Sequence, residues 1–157
     1  MATVLPASSP NYINETSFER VEPKLASALH LRSFDGYVAT TAGTGTINLV
    51  KLPPGRVRIF PDLSRLVTSA ITATGTISIG YAAYTKENGT AVNALTTAFV
   101  NAGAAGAGAL DSAFVLPAVG YLDLDSKDGI VLTATVATAD MRIGDTIDGW
   151  VAYTNVN

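Results

Sequence analysis

The sequence predicts an all-β protein, an antiparallel β-sandwich of jelly-roll type preceded by an extended N-terminal arm. Three observations lead there. From residue 28 onward, apolar residues recur with period two, as in Ile77, Ile79, Tyr81 and Ala83 or Ile130, Leu132, Ala134 and Val136, the pattern of half-buried strands. Turn dipeptides punctuate these runs at short intervals. No segment sustains a helical period beyond two turns. At 157 residues the chain suits a single core.

The elements follow in order. Residues 1–24 form the arm: Pro6, Pro10 and Pro23 break any long element, and polar residues fill the stretch from Ser8 to Thr16. Thr16 and Glu19 are spaced as a capping box that starts one short helical turn, which Pro23 ends. Residues 25–157 form the sandwich domain. Strands are expected at 29–34, 37–41, 46–52, 56–60, 66–72, 77–83, 97–100, 119–124, 130–136 and 147–153, with Tyr81 and Tyr153 on the core side and Trp150 and Ala152 on the opposite face. Between them lie the turn signals Asp35-Gly36, Pro53-Pro54-Gly55, Asn88-Gly89, Asp128-Gly129 and Gly144-Asp145. Gly43-Thr44-Gly45-Thr46 reads as a further hairpin turn, because it lacks the third glycine and following helix of a phosphate-binding loop. The uncharged run of Gly and Ala over residues 102–109 reads as a surface loop or linker whose composition also permits close approach of another backbone.

Composition removes whole classes of chemistry. The chain has no cysteine, which excludes disulfides, thiol nucleophiles and thiolate metal sites. His30 is the single histidine, so no two-histidine metal motif forms within one chain. The N-terminus lacks the cationic and apolar regions of a secretory leader, and no run of about 18 apolar residues predicts a membrane-spanning helix. Only 15% of residues are charged, against about 25% in an ordinary soluble domain. Such a surface, rich in Thr, Ser, Ala and Gly, suits a protein packed against other protein.

Charge is uneven along the chain. Residues 1–66 hold seven Lys and Arg against five acids, whereas residues 100–157 hold seven Asp against Lys127 and Arg142. A net charge of −3 lacks the basic footprint of a nucleic-acid binder, and opposite-sign halves suggest a role in orienting partners or packing subunits head to tail. Arg56 and Arg58 flank Val57 and share one strand face, either as a basic stripe for an acidic partner or as an ordinary solvated face. The run from Asp123 to Gly129 has the look of a calcium loop, but Lys127, Asp128 and Ala134 stand where a ligand, the turn glycine and a bidentate Glu belong, which favours a polar turn. His30, Ser33 and Asp35 supply the residue types of a catalytic triad, yet strand alternation sends His30 and Ser33 to opposite faces. The seven C-terminal Asp, weighed as the source of a glycosidase pair, sit in or beside expected turns. No catalytic residue, cofactor or metal ligand is assigned.

One resemblance adds to this reading. The segment Leu52-Pro53-Pro54-Gly55-Arg56-Val57-Arg58-Ile59, then Asp62-Leu63-Ser64-Arg65 and the strand from Ile77 to Thr85, resembles small virion structural proteins of tailed bacteriophages. The end of the chain, from Asp128 through the turn at Gly144-Asp145 to Gly149-Trp150-Val151-Ala152-Tyr153, is similar to the C-terminal half of the same proteins. The likeness spans about residues 46–157. Within that group the chain most resembles a capsid decoration, or cement, protein. This implies a non-enzymatic β-sandwich, often homotrimeric, made in the bacterial cytoplasm and bound to the virion's capsid exterior. The implied partners are the phage major capsid protein and other copies of itself, with no nucleic acid, membrane or small-molecule substrate. Tyr12, Phe18 and Arg20 in the arm, with Arg56 and Arg58, are the candidate partner-binding residues. A tail, baseplate or fibre component and a carbohydrate-binding sandwich are the alternatives, the latter weakened by a lone Trp150.

Overall fold

The computed structural model describes residues 29–114 and 120–156. The arm and its capping box, the 24/25 boundary, Tyr12, Phe18 and Arg20 lie outside the described residues.

Among the described residues, thirteen strands assemble into two main antiparallel sheets and one small hairpin. Their period-two burial explains why. In β13 (Thr146–Val156), Ile147, Val151 and Tyr153 are buried in the core while Trp150 faces outward. In β12 (Ile130–Met141), Ile130, Leu132, Ala134 and Val136 are buried. Each such aliphatic side chain contributes about 1.5–3 kcal/mol when taken from water.

The first sheet is built around β13. On one side it pairs with β1 (His30–Ser33) and β2 (Tyr37–Val38), and on the other with β4 (Gly55–Ile59) and β5 (Arg65–Thr68). β4 pairs outward with β11 (Leu122–Ser126), and β5 with β10 (Asp111–Ala113). The second sheet runs β3 (Gly43–Leu52), β12, β6 (Thr76–Tyr81) and β9 (Leu95–Gly103). β1 with β2, β4 with β5, and β10 with β11 each form one interrupted strand. Numbered so in chain order, the sheets read 1-8-3-6 and 2-7-4-5, the strand order of a jelly roll. β7 (Tyr84–Thr85) and β8 (Ala91–Val92) form a separate hairpin closed at Asn88-Gly89, where the Asn88 Oδ1 accepts from the Thr90 N–H at 3.0 Å.

The break between β4 and β5 is a short 3₁₀ turn, Pro61–Leu63, which lifts the strand away from β13. Ser64 fills the gap: its buried Oγ donates to the Phe60 carbonyl and accepts from the Ala152 N–H, both at 2.9 Å. The Phe60 carbonyl also accepts from Leu63 N–H at 3.1 Å, so it is the Ala152 N–H that the broken ladder would leave unpaired and that Ser64 satisfies.

Three expectations change. Gly43-Thr44-Gly45-Thr46 is the start of β3 and not a hairpin turn: Gly43 pairs with Met141 and Gly45 with Val136, and Gly45 takes φ +147° where the register with β12 shifts. The Gly-Ala run is no linker. Ala105 is fully buried in the core, its carbonyl accepts from Ile71 N–H, and Gly106 lies so close to residues 72–75 that a Cβ would fall 2.6 Å from Gly75 N. Of the seven C-terminal Asp, Asp128 and Asp145 lie outside the strands, whereas Asp111, Asp123, Asp125, Asp140 and Asp148 lie within them. Sequence reading also missed β7, β8 and β10, strands of two or three residues whose runs are too short to show a period.

Candidate interaction surface

The outer faces of the two sheets differ in charge. The β3-β12-β6-β9 strands contain only Lys51 and Asp140 as charged residues, whereas β1, β4, β5, β10, β11 and β13 contain Arg32, Arg56, Arg58, Arg65, Asp111, Asp123, Asp125 and Asp148.

Register explains the grouping. Arg56 and Arg58 share the outer face of β4, as their spacing predicts, and β11 sets Asp125 opposite Arg56 and Asp123 opposite Arg58. Arg58 grips Asp123 with two bonds, Nε to Oδ1 at 2.7 Å and Nη2 to Oδ2 at 3.0 Å. Arg56 adds a third at 2.9 Å, and the Arg58 guanidinium stacks 4.0 Å over the Tyr121 ring. One strand pair further along, Arg65 grips Asp111 at 2.5 and 2.9 Å. The Arg58 hydrogen bonds hold Asp123 below the usual carboxylate range and raise Arg58 in turn; the same exchange lowers Asp111 and raises Arg65. The basic stripe is therefore substantially offset within the chain. The opposite-sign halves meet each other across β4-β11 and β5-β10.

The second sheet's outer face carries hydroxyls in place of charges. Thr46 and Thr135 Oγ1 atoms lie 3.1 Å apart, those of Thr76 and Thr138 lie 3.2 Å apart, and Ser78 Oγ accepts from Ala102 N–H at 3.0 Å. Gly80 lacks a side chain because β9 crosses there: a Cβ would sit 1.9 Å from the Leu95 carbonyl oxygen.

A third surface is apolar and lies on the first sheet, running across β13 from β1 to the 3₁₀ turn between β4 and β5. Leu31 stands opposite Ala152, and Ser33 opposite Trp150, on the outer face. Leu29 and Leu31 are 53% and 66% exposed, and Leu63 of the 3₁₀ turn is 51% exposed. The Trp150 indole N–H donates to the Leu63 main-chain carbonyl at 2.8 Å, which ties the 3₁₀ turn to this edge of the ridge. The ridge was hidden in the sequence because Leu63 reaches it from a turn.

The residues weighed for chemistry do not converge. His30 stacks on Tyr153, with ring centroids 5.2 Å apart, while Ser33 points to the other face and Asp35 accepts from Gly149 N–H at 3.4 Å. Asp123 is committed to its arginines, and among the described residues no three His, Cys, Asp or Glu side chains gather as a metal site.

No protein-family model and no curated protein sequence matches the chain. Among solved structures, it superimposes on a chain from the capsid of Ralstonia phage GP4 with a TM-score of 0.71, covering 99% of each chain at 15% identity. It also aligns with a chain of the cyanophage Pam1 capsid asymmetric unit, covering 90% of this chain and 96% of that one at 14% identity and a TM-score of 0.47. A chain from the acid-stable capsid of Helicobacter pylori bacteriophage KHP30 aligns over 82% of this chain and 90% of that one, at 16% identity and a TM-score of 0.41. The first of these likenesses establishes a shared jelly-roll fold.

Proposed function

We propose that this chain is a non-enzymatic structural protein of a phage virion, a decoration protein that binds the outside of the head and clamps neighbouring major capsid subunits. The observation that carries the reading is the end-to-end match to one chain of a phage capsid, in which 99% of each chain superimposes. The surface chemistry agrees with it. The arginines of β4 and β5 are paired to Asp123 and Asp111, and beside them lie a hydroxyl-covered sheet and an apolar ridge, surfaces that lose little on being covered by protein.

The physical logic is linkage. A ligand that binds only the assembled, expanded shell stabilises it, and many copies multiply a modest contact. Self-association into a homotrimer is one closed arrangement. Tyr12, Phe18 and Arg20 belong to the segment assigned to contact the capsid. Arg56, 54% exposed at its side chain against 32% for Arg58, gives one N–H to Asp123 and presents its remaining donors more openly to a partner.

The test is cosedimentation of purified protein with isolated expanded heads and with isolated tails. Saturable binding to heads, with a higher head melting temperature, is expected. Binding to tails alone would move the chain to a tail component. Removing residues 2–24 is expected to abolish head attachment while thermal unfolding of the sandwich stays unchanged.

A further inference from the structure

A cleft of about 330 Å³ opens where β4 begins, walled by the C-terminal end of β13, by β11 and by the tip of the β7–β8 hairpin. Backbone pairing fixes these walls. Asp125 and Val156 both stand opposite Arg56, and Lys127 N–H donates to the Thr85 carbonyl at 2.9 Å, which holds the hairpin beside β11. The volume falls at the lower end of the range of about 300–1,000 Å³ typical of small-ligand pockets.

The polar lining is rich in acceptors. Asp125 and Glu87 bring carboxylates and Asn155 brings an amide. Asp125 Oδ1 and Asn155 Oδ1 are buried without a hydrogen-bond donor. Arg56, the cation that register sets opposite Asp125, turns instead to Asp123. Among the described residues no ion pair reaches Asp125 or Glu87, although Lys86 and Lys127 lie close by in sequence. A buried acceptor without a donor costs stability, and a charged one costs more than a neutral one.

We propose that this cleft binds an organic cation, an ammonium or a guanidinium, whose N–H groups donate to Asp125, Asn155 and Glu87. The terminal torsions of these three side chains are broad, so a turn about them brings an oxygen from the wall to the cleft. A metal ion fits less well. It needs several oxygens gathered about 2.3–2.6 Å from one point, and among the described residues no three His, Cys, Asp or Glu side chains gather so. An ammonium or guanidinium spreads its donors in several directions and serves acceptors on separate walls. The cation comes either as a free amine or as the basic side chain of a neighbouring protein. The site uses none of the ridge or hydroxyl residues and does not depend on the capsid reading.

The test is a titration of the assigned amide resonances of the full chain, including the Asn155 side-chain amide, with agmatine and with N-acetylarginine amide. Saturable shifts at Glu87, Asp125 and Asn155 with a Kd of about 1–10 mM are expected. N-acetylcitrulline amide, close in shape but uncharged, should bind about tenfold more weakly. Asp125→Asn should weaken agmatine binding about tenfold, and Glu87→Gln, at an exposed turn, about threefold. Unchanged resonances away from the cleft verify that each variant folds. Agmatine binding more than about tenfold tighter than N-acetylarginine amide assigns the cleft to a free amine, and a smaller difference assigns it to a protein side chain. No saturable shift up to about 50 mM overturns the proposal, as does equal binding of the citrulline compound or unchanged affinity in Asp125→Asn. Calcium chloride or inorganic phosphate shifting the same resonances at lower concentration also overturns it, by assigning the cleft to a metal or an anion.

Discussion

The two sheets bury similar aliphatic cores but finish their outer faces by opposite means. On β4, β5, β10 and β11, arginine and aspartate side chains lock to one another across the ladder. On β3, β12, β6 and β9, threonine and serine hydroxyls take their place, and one strand crosses so closely over Gly80 that no side chain fits. The difference teaches that low overall charge and uneven charge along the chain have one cause. Most strand charges are gathered on a single sheet, where the N-terminal cations meet the C-terminal anions.

The comparison yields graded expectations. The largest concerns the glycines on which each sheet closes. Gly80→Val would drive its side chain into the Leu95 carbonyl, and Gly149→Val would strike the Arg65 carbonyl 2.1 Å from the Cβ position while holding φ +149°. Each is expected to cost about 3 kcal/mol or more, through overpacking and strain, in chemical denaturation. A midpoint equal to wild type in either variant would remove the account of that sheet.

Next comes Ser64→Ala, which strips a partner from the Ala152 N–H and the Phe60 carbonyl at a buried site. The expected loss is about 1–3 kcal/mol, and Ser64→Thr should recover part of it if the hydroxyl keeps its place. Equal stability of Ser64→Ala and wild type would mean that the strand break is closed in another way.

Asp123 gives a smaller effect with a pH signature. Its carboxyl is held low by Arg58 and Arg56 in the folded chain, so on acidification the unfolded chain takes up the proton first. The contribution is complete above the unfolded value of about 3.9 and is lost as pH falls from there through the folded value. With Arg56 half exposed, solvent screening limits the contribution to about 1 kcal/mol. Asp123→Asn should lose that amount at pH 7 and show a flatter stability curve below pH about 4. An identical acid limb in the two proteins would count against the ion pairs as a feature of the folded state.

The smallest expected effect is that of Thr135→Ala on the second sheet. The Thr46 to Thr135 hydroxyl pair is solvent-accessible, so the change should stay within about 0.5 kcal/mol by thermal unfolding. A loss comparable to Ser64→Ala would show that the hydroxyl face is structural rather than merely uncharged.

The period-two pattern made the long strands legible: β6, β12 and β13 match expectation, and Tyr153 and Trp150 fall on the sides that alternation assigns. Pairing register was not legible. Arg56 and Arg58 were visible as a shared face, but nothing local said that Asp123 would stand opposite Arg58 about 65 residues later, so a strand pair held by charge read either as a basic stripe or as a solvated face. A signal was present in two runs of like charge at i, i+2, of opposite sign, on strands expected to be antiparallel. The glycine-rich segments misled for a related reason. Gly43, Gly45 and Gly106 serve close contacts with chain distant in sequence, and composition alone cannot separate that use from a turn or a linker. The ridge was least legible, since it joins β1, β13 and a 3₁₀ turn.

With the arginines of β4 and β5 paired to Asp123 and Asp111, the protein is expected to bind a capsid through uncharged and apolar surface. The most direct measurement is its affinity for expanded heads as sodium chloride rises from about 0.1 to 1 M, a range that screens exposed charges almost completely. Saturable binding whose affinity changes less than about threefold is the predicted result. Binding that collapses with salt, or no binding to heads at any salt, would contradict the account.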